Sequence, residues 1–505
     1  MTARPVLTTG AVFAASAAST PLVYVAIRTA EAGTERIVQE VFTVQVALLA
    51  GRSLLLAAVV TTACMILGVG TAFLVTRTDL PGRKLFGVLA ALPLAVPTYV
   101  AGFCWVAAAD WFSGFWAASA LLTLCSYPYV YLPVAAALAG ADPAQEEVAR
   151  SLGHSRWRNL FGVTLSQVRP AVGAGGLLVA LYVLSDFGAV SLTRFDTFTT
   201  AIFTSVNLGF DPTGAQVLSS VLIILTAALL FAETTTRRRG ARYATVGRGV
   251  RRQHDTLRLN VWRWPAVATL IAVALLALGV PAVSLVHRLV EGVSQAEPLS
   301  EVFSAAGNSL YVSALGAGLT VVLALPVGLL AARDPGRLPR LLERLSYVGH
   351  ALPGLVIGLS LVSLGIHVVY PLYQTTALLA FGYAVLFLPL AVAAVRTTAA
   401  QSPPELEEVA RSLGRPPWRV LATVTLPLMA PGVGTGAALV LLTCMKELPA
   451  TLLLRPTGMD TLATELWSQT SVGAYAGAAP YAALLVFLSA VPTWLLVKGT
   501  RRELT

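Results

Sequence analysis

Apolar residues in this chain gather in stretches of twenty or more, separated by short segments where arginine, glycine, proline and acidic residues collect. A helix rising about 1.5 Å per residue needs roughly twenty such residues to cross a ~30 Å hydrocarbon core. Twelve spanning helices are predicted, at 6–28, 53–76, 86–109, 117–139, 171–193, 215–234, 265–287, 309–331, 347–369, 374–397, 432–454 and 478–497. The first follows Arg4 and is longer than the apolar core of a signal peptide, so it is read as a span. The pattern predicts an all-α polytopic membrane protein. Composition closes off the soluble alternative, since of 505 residues 56% are hydrophobic and only 12% charged, half of what a water-exposed surface demands.

The net charge of +10 would suggest nucleic acid, but its placement reads as topology. With the N-terminus in the cytoplasm, 28 of the 35 Lys and Arg fall in cytoplasmic segments, nine of them between Arg237 and Arg263. Six lie outside (Arg28, Arg36, Arg52, Arg194, Arg288 and Arg455), and Lys446 alone sits within a span. The positive-inside rule therefore puts both termini in the cytoplasm. The three lysines, Lys84, Lys446 and Lys498, never follow a glycine, so the chain contains no G-K-[ST] phosphate loop and any ATP hydrolysis belongs elsewhere. Cys64, Cys104, Cys125 and Cys444 lie in apolar stretches without metal-ligand spacing and read as small core residues.

The chain repeats itself. Glu147-Val148-Ala149-Arg150-Ser151-Leu152-Gly153 recurs 261 residues later as Glu408-Val409-Ala410-Arg411-Ser412-Leu413-Gly414, and Trp157/Trp418, Arg158/Arg419, Leu165/Leu426 and Pro170/Pro431 extend the match. Arg77/Arg333, Pro93/Pro353, Asp186/Glu447 and Asp196/Asp460 keep nearly the same offset. The expected division is a first transmembrane half at 1–236, a basic cytoplasmic linker at 237–264 that could rest on anionic lipid, and a second half at 265–505. Six spans per half make the repeats parallel, with a pathway between them as the natural site of function.

Each repeated loop, 142–170 and 402–431, reads as a short terminated helix. Asp142, Pro143 and Gln145 in the first copy, and Ser402, Pro403 and Glu405 in the second, fit an N-cap, a first helical position and a capping box. Gly153 and Gly414 stop it. A capped helix of about ten residues is marginal alone, so two of them on one membrane face are expected to be presented to a partner.

On these residues the chain resembles the permeases of ABC importers. Glu-x-Ala-x-x-x-Gly followed by Leu-Pro, between the fourth and fifth spans, is similar to their EAA loop, whose coupling helix fits a groove in the ATPase subunit. The resemblance implies that Glu147, Ala149 and Gly153, with Glu408, Ala410 and Gly414, form docking sites for two copies of a separate ATPase chain. Leu426-Pro427 completes the pattern in the second copy, whereas the first reads Leu165-Ser166. The fused halves, with Leu92-Pro93-Leu94-Ala95-Val96-Pro97, Asp186-Phe187-Gly188-Ala189-Val190-Ser191, Phe195-Asp196-Thr197-Phe198-Thr199-Thr200 and Met459-Asp460-Thr461-Leu462-Ala463-Thr464, resemble the ferric iron permeases. That family implies a type I importer fold in the bacterial inner membrane, a periplasmic or lipid-anchored substrate-binding protein, and no resident cofactor. Thiamine permeases share the fused architecture. An ATP-independent secondary transporter would also fit twelve helices in parallel repeats, but has no use for duplicated docking helices.

Asp186 and Glu447 stand at equivalent positions in the fifth span of each half, two residues before Gly188 and Pro449. One reading makes them an acidic pair along the translocation path, since ionisable groups at depth usually face a cavity; the other makes them boundary residues, with Glu447 neutralised by Lys446. His154, His254, His287, His350 and His367 show no ligand spacing, and no metal site is assigned. Tyr127, Tyr129 and Tyr131 around Pro128 read as amphipathic aromatics at a helix break, and Asp110, Trp111 and Trp116 as interface residues.

Overall fold

A computed structural model of the chain describes residues 3–141, 147–149, 151–153, 155, 158, 160–240, 257–291, 298–334 and 336–502. Among these, nine helices are long and apolar enough to cross a membrane; a bent pair and the shorter apolar helices Gly354–His367 and Tyr475–Ser489 match the remaining expected spans.

The first repeat runs through α1 (Ala3–Glu31), α2 (Thr34–Val41), α3 (Val44–Arg77), α4 (Arg83–Leu89), α5 (Thr98–Ala108), α6 (Gly114–Ser126), α7 (Pro128–Ala139), α8 (Leu165–Ser185), α9 (Gly188–Leu192), α10 (Phe198–Asn207) and α11 (Pro212–Gly240). The second runs through α12 (Arg263–Ala274), α13 (Val280–Glu291), α14 (Leu299–Arg333), α15 (Arg337–Ser346), α16 (Gly354–His367), α17 (Thr376–Gln401), α18 (Pro404–Ser412), α19 (Pro417–Val420), α20 (Leu426–Met445), α21 (Pro449–Leu454), α22 (Leu462–Ser471) and α23 (Tyr475–Arg502).

The third span of the first repeat is not one helix. Its limbs, Arg83–Ala95 and Thr98–Ala108, meet at 94°. Proline disfavours helix at the residue before it, and Val96 is accordingly extended (φ −91°, ψ 120°) ahead of Pro97 (φ −59°, ψ 143°). Leu352 (φ −96°, ψ 131°) and Pro353 (φ −59°, ψ 142°) repeat the geometry before α16. Pro97, and not Pro93, is thus the counterpart of Pro353; Pro93 lies inside the preceding 3-10 turn.

Two compact units are present, and they do not follow the sequence halves. One comprises residues 1–43, 201–223 and 292–505; the other comprises 44–200 and 224–291. In the first, α14 and α17 form the central pair, with Gly316 and Gly328 facing Tyr383 and Val395 so closely that an added Cβ would lie 2.7 and 2.6 Å from them. The opening helix α1 packs along this pair, Gly10 against the ring of Pro326. In the second unit α3, α7 and α8 surround a core including Leu56, Val60, Val130, Val134 and Val179. There α13 lies on α5, with Ser284 Oγ donating to the Cys104 carbonyl at 2.7 Å. Each repeat therefore lends its first helix to the unit built mainly from the other.

Residues 241–256 of the expected linker, with His254, lie outside the described residues. Where description resumes, Leu257 N–H donates to the Arg77 carbonyl (2.8 Å), Asp79 N–H donates to the Leu257 carbonyl (3.1 Å), and Asp79 Oδ1 accepts from Leu259 N–H (2.8 Å). The returning chain is pinned to the end of α3.

Candidate coupling and translocation sites

In the second repeated loop α18 ends as a Schellman motif: Arg415 N–H donates to the Ala410 carbonyl (3.2 Å) and Gly414 N–H to the Arg411 carbonyl (2.9 Å). Gly414 holds φ 80°, where side-chain-bearing residues are strained. The helix start differs from expectation. Pro403 is the N-cap and no side chain caps the helix; Ser402 instead closes α17, its N–H bonded to the Thr398 and Ala399 carbonyls. The pair Pro403-Pro404 brings no N–H of its own to satisfy, and Glu405 and Glu407 in the first turn complement the helix dipole without a capping box.

The first loop matches where it is described. Glu147–Ala149 is helical and Gly153 holds φ 81°. Asp142, Pro143 and Gln145, together with Arg150, His154 and Trp157, lie outside the described residues. In both copies the alanine faces inward, Ala149 at 6% and Ala410 at 7% exposure, while Glu147 and Glu408 face out. Val148 and Leu152, at 59% and 74% exposure, and their counterparts Val409 and Leu413, at 56% and 76%, flank the acids. Each loop thus presents an exposed carboxylate beside two exposed aliphatic side chains, a surface suited to burial against another protein.

Sequence reasoning had not singled out Glu407. Its carboxylate, mostly buried, takes Arg333 Nη2 at 2.7 Å on Oε1 and Arg411 Nη2 at 3.0 Å on Oε2. Arg333 is the last residue of α14, so the ion pair ties the second loop to the end of the eighth span. The repeat had already marked Arg333 through Arg77.

Asp186 and Glu447 sit at the far end of the fifth spans from these loops. The helical stretch Gly162–Ser185 runs 24 residues, ~36 Å at the α-helical rise, from the first loop to Asp186. At each break the acid sits one residue ahead of the N-cap of a short helix. Asp186 Oδ1 accepts from Ala189 N–H (2.9 Å) and Val190 N–H (3.4 Å); Glu447 Oε1 and Oε2 accept from Ala450 N–H and Thr451 N–H, both at 2.9 Å. The carboxylates thus satisfy the orphan donors that begin α9 and α21, and charge strengthens such bonds. Asp186 is 8% exposed and belongs to one unit, Glu447 to the other. Gly188 lets α9 close on α5, where an added Cβ would stand 2.6 Å from Tyr99 Cβ.

The hydroxyls around the acids were legible only in part. Thr98 Oγ1 donates to Asp186 Oδ2 at 2.7 Å, Tyr182 donates to Thr98 at 3.3 Å, and the Tyr129 ring lies 5.5 Å from that of Tyr182. In the second repeat Thr451 Oγ1 lies 2.7 Å from Glu447 Oε2, and Tyr383 lies 2.7 Å from Thr451. Tyr131 donates to the Gly87 carbonyl at 3.1 Å, and Tyr127 is buried in the core.

The Asp-Thr-x-x-Thr segments are helix starts. Thr461 and Thr464 form a reciprocal capping box on α22, and Thr200 Oγ1 accepts from Thr197 N–H at 2.8 Å ahead of α10. Ser53 and Ser309, separated by the same 256 residues as Arg77 and Arg333, accept from Phe198 N–H at 3.2 Å and Leu462 N–H at 2.8 Å. These motifs fix chain direction after the break.

Comparison with known proteins agrees with the duplication. Residues 64–238 and 324–498 each match the family described as binding-protein-dependent transport system inner membrane component. The chain is 39% identical over 481 residues to the Fe(3+)-transport system permease protein FbpB 2 of Haemophilus influenzae, covering 95% of both chains. It is 31% identical over 197 residues to the sulfate transport system permease protein CysT of Escherichia coli, covering 35% of this chain and 71% of that one. It is also 30% identical over 138 residues to the molybdenum transport system permease protein ModB of Escherichia coli, covering 24% and 60%. Repeat, helix breaks and sequence relationship together make this chain a multi-pass membrane permease belonging to the binding-protein-dependent transport system inner membrane component family.

Proposed function

We propose that this chain is the permease of an ATP-driven importer that carries ferric iron inward from a substrate-binding protein. The observation that carries the reading is the 39% identity, over 95% of both chains, to a permease named for Fe(3+) transport. Two ATPase subunits dock on Glu147–Gly153 and Glu408–Gly414, burying Val148, Leu152, Val409 and Leu413. Both termini face the cytoplasm, following the arginine distribution. Each fifth span is a rigid strut from a docking loop to an acid-capped break, so movement of an ATPase subunit at one end is delivered to α9 or α21 at the other. The charges of Asp186 and Glu447 compensate a trivalent cation as it passes, while their capping bonds keep that attraction weak enough for release. The thiamine alternative has no comparable support, and a secondary transporter is disfavoured by the family's dependence on a binding protein.

Cells lacking the gene should lose high-affinity uptake of radiolabelled ferric iron and keep thiamine uptake; the reverse pattern overturns the cargo assignment. The variant Val148→Ser/Leu152→Ser/Val409→Ser/Leu413→Ser should leave the chain folded and reduce ATPase co-purification at least tenfold. Normal recovery of two ATPase copies per chain overturns the docking sites.

A further inference from the structure

The helix α15 divides its circumference three ways. At ~100° per residue, Pro339, Leu342 and Ser346 fall on one side, and all three are buried. Arg337, Arg340 and Arg344 share a second side and are exposed. Leu338, Leu341 and Leu345 lie between, the first two 49% and 53% exposed. A helix with one edge on protein, one row of aliphatic side chains and one row of cations fits the boundary between acyl chains and headgroups. The one acid of the helix, Glu343, is engaged by Arg396, so it does not offset the row.

Beside this helix lies a groove of about 520 Å³ between α1 and α15–α16. It is lined along α1 from Val12 to Ile27, fifteen steps or ~22 Å, the depth of one leaflet and more. Leu342 and Leu345 of α15 form its other wall. Of the hydroxyls lining it, Ser19 and Thr20 bond the helix's own Ala15 and Ser16 carbonyls at 2.9 and 3.0 Å and Tyr24 donates to the Ser363 carbonyl at 3.1 Å, so with Ser16 the wall between them is mainly apolar. In the other unit α4 repeats the arrangement on a smaller scale: Arg83 and Lys84 are exposed beside Leu85 at 61% exposure, while Phe86 is buried against Leu80 and Leu270.

We propose that α15 and the α1 groove form a selective site for one anionic phospholipid, its phosphate held by Arg337, Arg340 and Arg344 and one acyl chain lying along α1. Charge complementarity selects the occupant: a zwitterionic lipid fills the groove equally well but gains little from three arginines, whereas each arginine near an anionic headgroup favours binding about fivefold. The site is independent of the cargo carried.

The full-length chain, reconstituted in nanodiscs of equal phosphatidylglycerol and phosphatidylcholine, is released into native mass spectrometry and the retained lipid is counted. Phosphatidylglycerol should be retained at least fivefold over phosphatidylcholine. Arg337→Gln/Arg340→Gln/Arg344→Gln should bring the ratio to parity, and Ser16→Phe/Thr20→Phe, which fills the groove and spares the cations, should lower retention of both lipids. Equal retention by the native chain overturns the proposal, as does a preference that survives the arginine substitutions; a protein partner covering the arginines would give the first of these results. Should the arginine variant fail to fold, loss of the native chain's preference in high salt decides the same question.

Discussion

Thr98 Oγ1 donates to Asp186 Oδ2 at 2.7 Å, and the residue standing where Thr98 stands, 256 positions later, is Gly354. A Cβ at Gly354 would lie 2.8 Å from Glu447 Oε1. The longer acid faces the residue without a side chain, and the shorter acid faces a hydroxyl that completes the distance. Each repeat thus reaches the same capped break with a different division of atoms between the third and fifth spans.

The two pairs should exchange only together. Thr98→Val keeps the shape and removes the donor, and a bond to a charged group is worth about 1.5–3 kcal/mol, so the detergent-solubilised chain should unfold at lower temperature. Gly354→Thr alone should destabilise through the clash with Glu447. Gly354→Thr with Glu447→Asp should recover most of that loss, and strictly additive effects would show that the side chains do not share one space.

Charge and capping can be separated at the acids. Asparagine caps helices about as well as aspartate, whereas alanine costs about 1 kcal/mol. Asp186→Asn/Glu447→Gln should therefore leave assembly and ATP hydrolysis near normal while iron uptake falls sharply, and Asp186→Ala should lower thermal stability as well. Undiminished uptake in the neutral double variant would confine the two acids to capping.

Much of this was legible in the residues because it depends on local chemistry. Apolar length gives the spans, and the repeated glycine gives the end of α18. The bend of the third span was not, because hydropathy is continuous across 86–109 and reports length without direction; the offset of 256 shared by Arg77/Arg333 singles out Pro97 and, with it, Ser53/Ser309. Exchange of α1 and α13 depends on long-range contacts such as Gly10 on Pro326 and Ser284 on the Cys104 carbonyl, which no periodicity encodes. The cap assigned to Ser402 failed because Ser402 is the C-cap of α17 and the next helix starts one residue later, with Pro403 as its N-cap. The Asp-Thr-x-x-Thr segments carry a family resemblance in the sequence, while their physical role rests on serines about 150 residues away.

Backbone conformation alone should set the cost at the ends of the docking helices. Nothing lies within 4 Å of a Cβ added at Gly153 or Gly414, but both hold φ near 80°. Alanine there should cost about 1–2 kcal/mol of local stability, with asparagine costing less. Weakened ATPase association for alanine, partial recovery for asparagine and none for tryptophan is the expected order in pull-downs, with thermal unfolding of the membrane-embedded part unchanged.

The Arg333–Glu407 pair should transmit as well as hold. Arg333 ends α14 and Glu407 lies in α18, the helix proposed to dock, so on that proposal a displacement of α18 reaches the eighth span through this 2.7 Å contact. Arg411 shares the carboxylate at 3.0 Å, which means Arg333→Gln does not strand a buried charge and should cost only about 1 kcal/mol of stability. ATPase subunits should still bind, because Glu408, Val409 and Leu413 are untouched. What should change is economy of transport: in proteoliposomes the variant should hydrolyse several ATP for each one needed by the native complex per iron delivered. Arg333→Lys, which restores a cation with poorer geometry, should fall between the two. An unaltered ratio of hydrolysis to uptake in Arg333→Gln would reduce the pair to a tether.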